Sequence, residues 1–273
     1  MARRRVHRAT LHSVFERTFH EERRALLGWS LGLFALALTM LVMYPTIRGN
    51  QQFSKLFEAY PQTFKSMFGI SDYTSGPGYL RAEIFSLTAP LLLSVFSILW
   101  GADLTAGEEQ RHTIDILMAN PISRRRVVLE KWAALLMGTV VAAACLWFGL
   151  QFGSLLVDLH VGVTRLGGAV VASWLVAVVF GTLALAVGAA TGRRGLARGL
   201  GALAAVGAYL ISSLAELVRW LQDVRPISPW YHAIGVDPLG SGFQAFHVMV
   251  LVVTTLVFEV VAIVAFERRD LGT

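Results

Sequence analysis

Residues 107–131 read GEEQRHTIDILMANPISRRRVVLEK. This segment holds four acids, four arginines, a lysine, a histidine and a proline, yet it follows the apolar run 80–102 and leads into another apolar run from Val128. A polar insert between two apolar runs of this length reads as a connection between membrane-crossing segments, so the fold is argued outward from it.

The whole chain agrees with that reading. Its 273 residues are 55% hydrophobic and 15% charged, with a mean hydropathy of +0.58. A soluble domain carries roughly 25% charged residues, so this is an integral membrane composition. The net charge of +6 raises nucleic acid as a partner, but 21 of the 24 basic residues are arginines placed in short blocks between apolar runs. Such blocks fit loops facing an anionic membrane surface, and no nucleic-acid partner is expected. The single cysteine, Cys145, lies in an apolar run and rules out an internal disulfide framework.

Six runs reach the length that crosses a hydrocarbon core: roughly 26–47, 80–102, 128–152, 168–191, 196–221 and 246–266. Strands would need an alternating pattern that is missing, so the predicted class is an all-α integral membrane protein with six transmembrane helices. With both termini inside, 17 of the 24 basic residues fall on inner segments, which predicts cytoplasmic termini and places 107–131 in the cytoplasm.

The flanking segments carry further expectations. Over 10–25, Leu11, Val14, Phe15, Thr18 and Phe19 recur at helical spacing, opposite His12, Glu16, Arg17, Glu21 and Arg24. This predicts an N-terminal amphipathic helix lying in the lipid headgroup region before the first span. The outer segment 48–79 alternates aromatic and polar residues and ends in Gly and Pro, predicting one or two short interfacial helices and a turn. Ala184, Gly188 and Gly192 are four apart, as are Gly195 and Gly199, a spacing for close helix packing within one subunit or at a dimer seam.

Within 107–131, helix extended from Asp103 to Asn120 puts Ile114, Leu117 and Met118 on one face and Glu108, Arg111, His112 and Asp115 on the other. Pro121 stops it, and Ser123 caps a new helix beginning at Arg124 and running through Lys131. The result is a helix, a bend and a second helix over 104–127.

An acid, a threonine, a hydrophobic pair, then Pro, Ser, Arg and finally Lys at the head of a span resembles the signature of exporter-type (type 2) permeases of ATP-binding cassette transporters. Those positions read Glu108 or Glu109, Thr113, Ile116 with Leu117, Pro121, Ser123, Arg124 and Lys131. The stretches GPGYLRAEIFSLTAPLLL and FERRDLG are similar to the same family, whereas His112 and Glu130 stand where it usually has glycine.

The resemblance implies that 104–127 contains a cytoplasmic coupling helix docking into a separate ATPase subunit. Ile114, Leu117 and Met118 would supply an apolar patch, with Glu108, Glu109 and Arg111 at its rim. It also implies two permease halves, a homodimer or heterodimer in the cell membrane, with ATP and Mg bound by the partner subunit and no cofactor in this chain.

The chain offers no nucleotide site of its own. Its lysines, Lys55, Lys65 and Lys131, follow Ser, Phe and Glu, so no Gly-Lys phosphate loop exists. GWSLG at 28–32 matches a nucleophile-elbow pattern but opens an apolar helix, and FHEERR lacks the second histidine of a zinc-hydrolase pair. Two polar residues inside spans, Glu259 and Gln151, are candidates for a substrate pathway, Glu259 facing either substrate or a neighbouring helix. The expected function is export of an amphipathic drug, antibiotic or lipid by alternating access. The alternative is a membrane-embedded enzyme or assembly factor without transport activity.

Overall fold

The computed structural model describes residues 14–48, 50, 52, 60, 73–111, 122–157, 159, 161–215, 217–242 and 244–269. No strand occurs among them. Six helices are long and apolar enough to cross a membrane: Val14–Ile47, Gly76–Gln110, Arg124–Leu156, Val163–Thr191, Arg194–Leu214 and Ala245–Arg268, here the first to sixth spans. The all-α, six-span class read from the sequence is the observed one.

Local chemistry explains several boundaries. The second span opens with Ser75 accepting from the Gly78 amide at 3.2 Å and with Pro77 in the first turn, where its missing N–H leaves nothing unpaired. The third starts where the sequence predicts: Ser123 is extended and its hydroxyl accepts from the Arg126 amide. The fourth ends at Gly192, whose left-handed φ of 63° closes the last turn through an N–H bond to Gly188 O at 2.8 Å.

Two boundaries differ from expectation. No break separates an interfacial helix from the first span within 14–47, which is one helix. Residues 20–27 contain no Gly or Pro to interrupt it, and Arg17 pairs with Glu21 one turn on at 2.9 Å. The apolar face of this N-terminal portion packs on the chain: Val14 is buried with Val127, and Phe19 lies 6.4 Å from Trp100 between ring centres. The fifth span stops at Leu214 and not at Leu221; Leu214 O accepts from the Leu217 and Val218 amides, and a short helix follows at Arg219–Val224. Its 21 residues already reach the ~30 Å of a hydrocarbon core. The interfacial helices expected in 48–79 fall largely outside the described residues.

The second span is interrupted by two π turns, Arg81–Phe85 and Asp103–Gly107, on either side of the α segment Thr88–Ala102. The fourth span is the buried centre, packed by the second, third, fifth and sixth, while the first lies against the third. In lipid there is little hydrophobic drive between helices, so close backbone approach carries the packing. Gly101 and Gly181 provide it: a Cβ on Gly101 would meet the Gly181 carbonyl, and one on Gly181 would meet Ser97. Of the two small-residue sets, Gly188 faces Thr105 of the second span, whereas Gly195 and Gly199 face open space.

Candidate functional site

The two ends of the polar segment meet at the arginine-rich end of the bundle. Glu108, Glu109 and Arg111 close the second span, and Ser123 and Arg124 open the third. Thr113, Ile114, Leu117, Met118 and Pro121 lie outside the described residues, so the proposed docking face itself is a matter of sequence.

Lys131 is fully buried, at 0% exposure. Its Nζ pairs with Glu108 at 2.5 Å and donates to the carbonyl of Leu104, inside the second π turn. A buried ammonium needs both a counter-charge and an acceptor, and the turn places both on one lysine. The pair therefore fixes the end of the second span to the third.

Four further ties converge here. Asp103 pairs with Arg194 and with Arg198, the latter at 3.1 Å, joining the second span to the fifth. Glu109 pairs with Arg269, which also donates to Ala189 O at 3.2 Å, joining the second, fourth and sixth. Any Cβ on Gly192 would collide with that ion pair, so the left-handed glycine serves the turn and the contact together. Arg124 donates to the carbonyls of Phe266 at 3.3 Å and Arg269 at 2.6 Å, satisfying the orphan acceptors at the end of the sixth span. Glu130 accepts from the Phe15 amide at 3.2 Å and pairs with Arg126 at 2.7 Å, holding the start of the first span. A glycine at 130 could make neither contact.

The sequence points to Glu108, Glu109, Arg124 and Lys131 but not to Arg269 as the partner of Glu109 and Arg124, nor to the separate pairing of Asp103 with Arg194 and Arg198. The arginines were legible as inner-side charge. FERRDLG, which contains Arg269, was the one pointer to that end of the site.

The polar residues in the spans are not brought together. Glu259 is 3% exposed and neither carboxylate oxygen has a hydrogen-bond partner among the described residues; Gln151 Nε2 is likewise buried and unpartnered. Because Arg124 reaches Phe266, the third and sixth spans share a reference level. Counted from it at 1.5 Å per residue, Glu259 lies about 10 Å in and Gln151 about 40 Å in. They belong to different depths and do not form one site. No group of three or more His, Cys, Asp or Glu suited to a metal occurs among the described residues.

No curated protein matches the sequence. A family model described as ABC-2 family transporter protein matches residues 13–271, nearly the whole chain. Membership implies an ATP-binding cassette ATPase as a separate partner. With six candidate spans and a family model that covers nearly all of it, the chain belongs to the ABC-2 transporter family as a multi-pass permease component.

Proposed function

We propose that the chain is the permease of an exporter, carrying an amphipathic drug, antibiotic or lipid across the cell membrane by alternating access. Two permease halves, identical or different, enclose the pathway, and both termini and the segment 108–124 face the cytoplasm. A separate ATPase binds ATP and Mg and docks on that segment: Ile114, Leu117 and Met118 form the buried patch, with Glu108, Glu109 and Arg111 at its rim.

The observation that supports docking is the way both ends of the segment are rooted. Glu108 and Glu109 on one side and Arg124 on the other are tied to the third, fourth and sixth spans. A loop that served topology alone would need its arginines but not such roots.

Co-purification tests the reading. The wild-type chain should retain an ATPase subunit, and Leu117→Asp with Ile114→Asp should lose it while all six spans still insert. Unchanged ATPase association in that variant would overturn docking. Absence of any ATPase on the wild type would favour the membrane enzyme or assembly factor.

A further inference from the structure

The described ends of the polar segment, Glu109 and Arg124, both close on one place: the C-terminal end of the sixth span. Glu109 pairs with the Arg269 guanidinium. From the other side Arg124 donates to the carbonyls of Phe266, Glu267 and Arg269. Arg269 in turn bonds Ala189 O at the end of the fourth span, over the bare backbone of Gly192. The sequence separations are 160 and 142 to 145 residues, so neither contact is a by-product of neighbouring chain.

We propose that Arg269 is a positioning residue for transport: held by Glu109 and Arg124, it makes the sixth span follow the docking segment when the ATPase moves that segment. This rests on the docking proposed above. The second and third spans join the segment covalently and must move with it. Among the described residues the sixth is tied to the segment's ends by these polar contacts, and they are directional: the guanidinium grips a carboxylate and a carbonyl, while Arg124 grips the helix end itself.

The sixth span also carries Glu259, ten residues from Arg269 or about 15 Å along the helix. A buried carboxylate without partners is costly in one fixed environment, and it fits a helix that changes its neighbours during the cycle. Thr255, one turn further on, lies on the same buried face.

The test uses the permease with its co-purified ATPase, in a Cys145→Ser background carrying Thr255→Cys as reporter. The probe is a membrane-permeant maleimide, and its rate of reaction is compared without nucleotide and in ATP with vanadate. The expected result is a nucleotide-dependent change in rate that falls by about fivefold or more in Arg269→Gln and in Glu109→Gln. ATPase association should be retained in Arg269→Gln, and Arg269→Lys, which keeps the charge, should recover part of the change.

An undiminished change in both glutamine variants, or no change in the reporter protein with its ATPase bound, overturns the proposal. Loss of the ATPase from the reporter protein itself would instead count against the docking reading. Arg269→Gln tests one side of the ion pair and Glu109→Gln the other, so misfolding of either leaves the second to decide.

Discussion

The sequence places Lys131 at the head of the third span. The structure adds its surroundings: it is sealed against Glu108 and Leu104 O. Replacing it by methionine keeps the volume and strips Glu108 of its counter-charge. Removing one member of a buried pair costs about 3 kcal/mol or more, so Lys131→Met should lower the apparent Tm of the detergent-purified protein substantially. Adding Glu108→Gln to it should recover much of the loss, since a neutral amide tolerates the site better than an unpaired carboxylate.

Glu259 makes the opposite prediction. Glu259→Gln should leave expression and Tm nearly unchanged while altering permease-stimulated ATP hydrolysis, measured on the intact complex; unchanged hydrolysis would mark it as packing alone. What the sequence could not show at this scale is pairing. Arg269 and Glu109 are 160 residues apart, and no periodicity links them.

At the scale of elements, the spans were legible because about twenty apolar residues in a row have few other fates. Their ends were less so, since helix continues wherever no Gly, Pro or cap stops it, as from Val14 into the first span. The two π turns left no compositional trace: RAEIF and DLTAG would read as ordinary helix.

Packing, by contrast, can be probed at single glycines. Gly101→Ala should force the second and fourth spans apart, an overpacking cost of about 1–3 kcal/mol visible as a lower Tm in detergent. Gly199→Ala has open space around it and should be neutral or slightly stabilising in the isolated chain. If Gly195 and Gly199 form the seam between two permease halves, Gly199→Leu should weaken the dimer on size-exclusion chromatography without lowering the Tm of the monomer.

For the whole molecule, the arrangement of spans around the fourth was not legible. Helices apolar on every side carry no stripe that names their neighbours, and the glycines and serines that do are shared among several pairings. Orientation remains a sequence argument with a direct check. In a Cys145→Ser background, Arg193→Cys should react with an impermeant maleimide only in inside-out vesicles, and Gln244→Cys only in right-side-out ones. The reverse pattern would put the polar segment outside the cell and remove the basis for a cytoplasmic ATPase.

The π turn at Asp103–Gly107 bears on how this joint tolerates a one-residue change of length in one genetic step. Such a turn holds about one residue more than an α turn, so deleting Thr105 would leave a sound, continuous helix. Because five residues of the wide turn advance about as far round the axis as four of an α-helix, Glu108 and Glu109 would keep their phase, whereas an α-helix built from all five would swing them about 100° away from Lys131 and Arg269. Composition, charge and hydropathy would be almost unaltered by that deletion. Helical phase, held across the extra residue by the wider turn, keeps the acids of the second span on their cations.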